Sequence, residues 1–432
     1  MLIKALLVSF ILIAVYNILT SKNGIENSLA WIVMAFVFGY RTIEPINGLK
    51  LHPIEIMTYA ACTRIILFNC QKYYKMPLTI SLVSALFLFY FILDYLTRYN
   101  SMVLLEFKNG ILLFAIFFTA LHIKFDIKYI RFILKFYLFS ITSISVLGIA
   151  EFLFPAFMEN LFGYTSSQDL VYNELFFNRV AFLFWGSHLA ANLIPPVFPV
   201  LLFLKSENDK IIQSNIILTS LIIINLFAIY LSGNRISWLI ITIYLILILL
   251  FYQSQILPYI KTYTIFISIA FVIYIYSQPV EGRYISTFLA LTGNIDQRYD
   301  SSGSARMYRA NIAINSMINH PMGTGWGSQG WVHSDVLQIG ASLGIFTAFI
   351  FILGPILLLL NIYRDFNKGS PTLHKGLFLC ILLLIYSIIS LTLNGNILKV
   401  QTGAPLYIAW AISYTFYKHL NSLEMKRKPY NE

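Results

Sequence analysis

The sequence predicts an all-α protein, a polytopic integral membrane bundle of about 12–13 spans with one long external loop between late spans. Three observations predict it. Of the 432 residues, 58% are apolar and only 11% carry a charge, about half the charged share of a soluble globular chain. Mean hydropathy is +0.73, and aromatics reach 16%, with 36 Phe and 28 Tyr. The apolar residues also collect into successive uncharged runs of roughly 20, the length a helix needs to cross a bilayer. There is too little polar surface to coat a soluble core, which excludes a soluble enzyme, a disordered chain and a disulfide scaffold.

In chain order the candidate spans are 2–19, 28–40, 54–70, 78–95, 102–121, 130–152, 181–204, 211–231, 236–252, 262–276, 336–360, 376–393 and 404–417. The second is short, so twelve spans with a re-entrant piece is the alternative count. The first run follows Lys4 but offers no small-residue cleavage site between Tyr16 and Lys22, so it reads as a span and not a signal peptide. Helical periodicity adds little, because buried helices are apolar all round. Cys62, Cys70 and Cys380 all fall inside apolar runs, without metal-ligand spacing, and read as buried free thiols. No internal repeat or separate soluble domain is visible, and residues 1–432 read as a single membrane domain.

Orientation follows from Lys and Arg in short loops. If all thirteen runs cross, one side collects Lys72/Lys75, Lys124/Lys128/Arg131/Lys135, Lys205/Lys210, Arg364/Lys368/Lys375 and Lys418/Lys426/Arg427/Lys428. That side is expected to be cytoplasmic. Much of the net charge of +11 is thereby an orientation signal and not a nucleic-acid surface, since no aromatic-interleaved basic patch exists. The polar stretch 279–333 then lies outside the cytoplasm, as does a shorter segment, 154–179. Long structured loops usually carry function.

Within that loop, Ser301-Ser302-Gly303-Ser304 reads as a turn and N-cap before a helix over 305–319. Met307, Ala310, Ile314 and Met317 recur at helical spacing, so the helix lies on the membrane face or against the bundle. Arg306 and Arg309 share a face near its N-terminus. A cation there opposes the helix dipole, which points to a nearby anion; ordinary headgroup anchoring is the other reading. Next comes His320-Pro321-Met322-Gly323-Thr324-Gly325-Trp326-Gly327-Ser328-Gln329-Gly330-Trp331-Val332-His333. Its glycines allow close backbone approach, and Trp326 and Trp331 are candidates for stacking on sugar rings. His333, at the mouth of the following span, is the candidate general base, with Asp335 beside it as a further sugar contact. A satisfied structural histidine is the competing reading.

Polar residues inside spans carry competing structural and functional readings too. Arg64 is an intramembrane charge and so a functional pointer. Asp94 and Arg98, four apart, read as a local ion pair. Glu151 and His188 read as hydrogen-bonders within the bundle, with cavity lining as the other reading, and Lys108 as an interface anchor, with attraction of an anionic ligand as its alternative. Pro195, Pro196 and Pro199 are expected to kink the seventh span and free backbone carbonyls. No acidic cluster suggests a metal, and no cofactor is called for.

Arg306, the run from His320 to Gly325, and His333 leading into Leu337 and Gly344 together resemble the signature region of the bacterial O-antigen ligase and O-antigen polymerase family. The resemblance runs from about Arg179 to Gly344 and rests on hydropathy alone before that. It implies a GT-C-like membrane glycosyltransferase acting on undecaprenyl-diphosphate-linked oligosaccharides at the periplasmic or external face of the inner membrane. Residue by residue, it implies that Arg179 (before Val180-Ala181-Phe182) and Arg235 (closing Ser232-Gly233-Asn234-Arg235) hold the donor, and that His333 activates the acceptor hydroxyl. Many members have Asn after that histidine; Ser334 stands here, which sits with polymerase-type members.

The physics of a lipid diphosphate agrees, because arginine gives permanently charged, bidentate contacts to phosphate oxygens. The expected chemistry is metal-independent attack of a sugar hydroxyl on the donor's anomeric carbon, with His333 as base and Arg179, Arg235, Arg306 and Arg309 around the diphosphate. Polymerisation of O-antigen or capsule repeat units is the leading reading, with a chain-length regulator as an open further partner. Ligation to lipid A core or protein is the near alternative. A polysaccharide flippase is the alternative of another class; the absence of paired halves argues against it.

Overall fold

The computed structural model describes residues 2–38, 42–46, 49–68, 76–98, 101–123, 125–162, 191–251, 301–328, 332–368, 371–394 and 400–427. Helices dominate. Helix α1 (Leu2–Thr20) and α2 (Gly24–Met34) are followed by a 3₁₀ turn, Ala35–Phe38. A small antiparallel hairpin, β1 (Ile43–Ile46) with β2 (Leu49–Leu51), then leads into α3 (Pro53–Phe68). Helices α4 (Leu78–Arg98), α5 (Ser101–Leu121), α6 (Ile127–Leu153) and α7 (Pro155–Phe162) follow. The later described helices are α8 (Val197–Ser206), α9 (Asn215–Ser232), α10 (Arg235–Phe251), α11 (Ser301–Asn319), α12 (Asp335–Leu343), α13 (Ile345–Lys368), α14 (Pro371–Leu393) and α15 (Val400–Arg427).

Six of the described helices are long and apolar enough to cross a membrane, and four shorter apolar ones accompany them. The chain is a multi-pass membrane protein with a helical bundle, as its composition predicts. Large apolar side chains such as Leu12, Leu96, Ile216 and Phe346 stay exposed on the outside of the bundle, as lipid-facing positions do.

Four expectations need correction. The run 336–360 is two helices, α12 and α13, broken at Gly344, whose φ of +91° suits only glycine. Helix α11 begins at Ser301, four residues before the predicted start. The hairpin was not foreseen. The seventh run is not a kinked helix over its described part: residues 192–196 form turns before α8, and the freed carbonyls of Ala191 and Leu193 accept from Ser237 Oγ (2.8 Å) and the Tyr137 hydroxyl.

Contacts along the helices define two ends of the bundle. At one, Lys135 pairs with Asp209 at 2.6 Å, Arg131 with Glu207, and Lys375 with Glu207 at 3.8 Å. Lys375 also donates to the Ser206 carbonyl, and the Tyr417 hydroxyl donates to Asp365. The basic clusters around residues 131–135, 205–210, 364–375 and 418 therefore share an end. Phe251 of α10 joins them through Phe366 (5.5 Å between ring centroids) and Phe378.

From Phe251, α10 climbs past Tyr244, whose hydroxyl donates to Leu382 O at 3.0 Å. It begins at Arg235, 16 residues from Phe251 and so about 24 Å away at 1.5 Å per residue. Arg235 therefore lies at the opposite end. Helix α12 starts there too. Ser387 Oγ donates to Leu406 O at 3.3 Å, which aligns α14 with α15 above the level of Leu382; the next residue, Tyr407, interacts electrostatically with Asp335.

Candidate functional site

The Ser232-Gly233-Asn234-Arg235 turn is built from local chemistry. Gly233, at φ +62°, ends α9 in the left-handed conformation, with its N–H on Tyr230 O. Asn234 then caps α10: its Oδ1 accepts from Ile236 N at 2.9 Å and Ser237 N at 3.4 Å, and its own N–H is held by Ser232 Oγ at 3.1 Å. Asn234 Nδ2 donates to Asn192 Oδ1 at 3.0 Å, which ties the turn to the broken segment before α8. Arg235, half-buried, is the first residue of α10.

The glycine-rich loop is held from two sides. From below, Gly325 N donates to Ser342 O at 2.7 Å, Thr324 N to Ala341 O at 3.0 Å, and Ile345 N to Pro321 O at 3.0 Å. The last carbonyls of α12 are thus satisfied by the loop. Gly323 and Gly344 face each other here. A Cβ on Gly344 would come within 2.7 Å of Pro321 O, and one on Gly323 within 2.6 Å of Gly344 N.

From the side, two helices of the N-terminal half supply buried carboxylates. Asp94 of α4 accepts the Trp326 N–H at 2.6 Å, and Glu106 of α5 accepts the Gly327 N–H at 2.7 Å. Each acid is only 1% exposed. The Tyr90 hydroxyl adds a bond to Met322 O at 2.7 Å. Such charge-assisted bonds are the strong ones.

His333 sits between two fixed neighbours. Val332 N donates to Gln338 Oε1 at 2.9 Å, and Ser334 Oγ caps α12 by accepting from Leu337 N at 3.3 Å. The His333 side chain itself is half-buried. Behind it, Val332, Ala341 and Leu337 pack on Ala313 and Met317 of α11. Arg306, seven residues before Ala313, falls on that same helix face and is half-buried, whereas Arg309 is exposed.

The remaining expectations divide. Arg179, His188, Cys70 and Trp331 lie outside the described residues, as does the run 262–276. Trp326 is 4% exposed; its ring packs edge-on against Phe87 and its Nε1 donates to Phe87 O at 3.4 Å. It is a structural anchor and no open face for a sugar. Asp335 is fully buried at the start of α12, which likewise withdraws it from sugar contact in this conformation.

Asp94, expected to pair with Arg98, holds the loop through the Trp326 N–H; the Arg98 side chain lies outside the described residues. Lys108 pairs with Glu55 at 3.0 Å. Arg64 donates to Ile18 O in the last turn of α1, a C-terminal cap. Among the described residues no group of three or more His, Cys, Asp or Glu is gathered that would hold a metal ion.

Sequence reasoning passed over Glu106, Tyr90, Gln338 and Asn192. For Glu106 a signal existed: an acid inside an apolar helix is expensive and marks function or a specific partner. Asn192 and Gln338 carried no signal, since their importance comes from tertiary neighbours.

A family model described as O-antigen ligase matches residues 220–352. The matched stretch contains Arg235, Arg306, Arg309, the glycine-rich loop and His333. Arg179, Asp94 and Glu106 lie outside it. No curated protein matches the chain.

Proposed function

We propose, for a chain that carries an O-antigen ligase family domain over residues 220–352, that it polymerises undecaprenyl-diphosphate-linked oligosaccharide units at the external face of the cytoplasmic membrane. An enzyme of O-antigen ligase or polymerase type is the coarser statement; polymerisation, the donor and the inner-membrane placement are the finer ones. The observation that carries the reading is the sharing of one bundle end by Arg235 and the start of α12, beside His333. That end lies opposite the basic clusters, which the positive-inside rule assigns to the cytoplasm.

In the proposed step an acceptor hydroxyl oxygen attacks the anomeric carbon of the donor glycan. The hydroxyl proton passes to the His333 imidazole. The bond from the anomeric carbon to the diphosphate oxygen breaks, and the diphosphate leaves with the electron pair. Arg235, with Arg179 and Arg306, stabilises that developing charge. Arg309, exposed one turn beyond Arg306, attracts the anionic donor. A single displacement inverts the anomeric centre. The capped backbone on either side of His333 supports the role, because a general base must be held within hydrogen-bond reach of its proton.

The test supplies purified protein in lipid with one lipid-linked repeat unit. Polymerisation gives a ladder of longer lipid-linked chains. Transfer only onto a separate lipid A core or protein acceptor assigns the ligase activity instead. Movement of the lipid across the bilayer without a new glycosidic bond removes the transferase reading.

A further inference from the structure

We infer that Asn192 is a donor-binding residue whose side-chain amide hydrogen-bonds an anionic oxygen of the diphosphate beside Arg235. This rests on the proposed diphosphate role of Arg235 and adds a residue outside the matched family segment. Its warrant is directional. Asn234 Oδ1 is committed to the N–H groups of Ile236 and Ser237, which fixes the orientation of its amide. Asn234 Nδ2 must then donate, and it does so to Asn192 Oδ1 at 3.0 Å. That bond in turn fixes which atom of Asn192 is oxygen and which is nitrogen.

The relay ends on Asn192 Nδ2, which is buried and has no hydrogen-bond partner among the described residues. The residue is 2% exposed, and its backbone neighbour Ala191 is pinned by Ser237 Oγ at 2.8 Å. A buried amide donor left without an acceptor costs about 1–3 kcal/mol, so native structures retain one where a ligand or another partner completes it.

The surroundings select that partner's chemistry. Asn192 is bonded to the capping residue of α10, so its free donor stands at the N-terminus of a 17-residue helix. The helix dipole there favours negative charge, and Arg235 is the next residue after the cap. The segment carrying Asn192 is non-helical within an apolar run, a conformation tolerated at membrane depth where it is buried in protein or lines a cavity. A helix N-terminus, a guanidinium and a fixed, unsatisfied amide donor together form a phosphate-oxygen site. Either the diphosphate donor or a phospholipid headgroup carries that chemistry, and the donor is the occupant proposed.

The test measures binding of undecaprenyl diphosphate, undecaprenol and phosphatidylglycerol to the purified full-length protein and to Asn192→Asp, Asn192→Ala and Arg235→Ala. Asn192→Asp keeps an oxygen for Asn234 Nδ2 while replacing the donor by a repelling carboxylate, so it separates binding from folding. The expected result is undecaprenyl diphosphate affinity weaker by about tenfold in Asn192→Ala and by more in Asn192→Asp. Undecaprenol binding stays unchanged.

Wild-type affinity in Asn192→Asp together with a loss in Arg235→Ala overturns the inference and leaves the reading of Arg235 intact. Wild-type affinity in both variants removes the diphosphate site altogether. An equal loss for phosphatidylglycerol assigns the site to headgroups and overturns the donor assignment.

Discussion

The two ends of the bundle use their acids differently. At the end of Arg131, Lys135 and Lys375, carboxylates meet cations: Asp209 with Lys135, Glu207 with Arg131 and Lys375. Lys135 and Lys375 are more than a third exposed. The Lys375–Glu207 pair contributes little to stability and weakens further with salt, whereas Lys135 meets an Asp209 that is only 5% exposed. At the other end, Asp94 and Glu106 are buried and bind the backbone N–H groups of Trp326 and Gly327. Glu55 does both, accepting from His52 N at 2.7 Å and pairing with Lys108. The basic end is the one the positive-inside rule would place in the cytoplasm, whereas the buried Asp94 and Glu106 fix a loop whose backbone could not otherwise be satisfied in an apolar setting.

Breaking the loop is expected to have the largest effect on stability. Gly323→Ala places a side chain at φ +86° and against the Ser342 carbonyl. The backbone conformation alone costs about 1–3 kcal/mol, and the collision adds to it. Thermal unfolding in detergent should show the greatest loss of melting temperature here. Next comes Glu106→Ala, which strips the Gly327 N–H of its acceptor, at about 1–3 kcal/mol for a buried group left unmade. Glu106→Gln retains an acceptor oxygen and should recover most of that loss; a Gln variant as unstable as Ala would show that Glu106 does not act through this bond. The smallest effect belongs to the opposite end. Lys375→Ala should cost at most about 1 kcal/mol, shrink in high salt and leave glycan transfer unchanged.

Much of the fold is legible from hydropathy, because lipid solvation demands long apolar helices and little else satisfies the backbone there. The boundaries that hydropathy missed have local causes. Gly344 splits an apolar run without changing its hydropathy, and the 192–196 turns hide inside another. The candidate residues stand out in the sequence where residue type and position are unusual together, as for Arg235 in its tight turn and His333 before α12.

Trp326 misled because an indole beside glycines looks the same in sequence whether its face is open or packed on Phe87. For Asp94 the sequence offers only the four-residue spacing to Arg98; the bond it accepts from the Trp326 N–H spans 232 residues, a separation that no local pattern encodes. Asn192 became visible only through the orientation of Asn234.

The proposed glycan transfer at the Arg235–His333 end is tested most directly by the rate of glycosidic bond formation in His333→Ala. The assay uses purified protein with one lipid-linked repeat unit, and undecaprenyl diphosphate binding is measured on the same sample. The predicted result is a loss of at least about 100-fold in rate with donor binding and melting temperature close to wild type. A His333→Ala protein that builds glycan chains at the wild-type rate would contradict it.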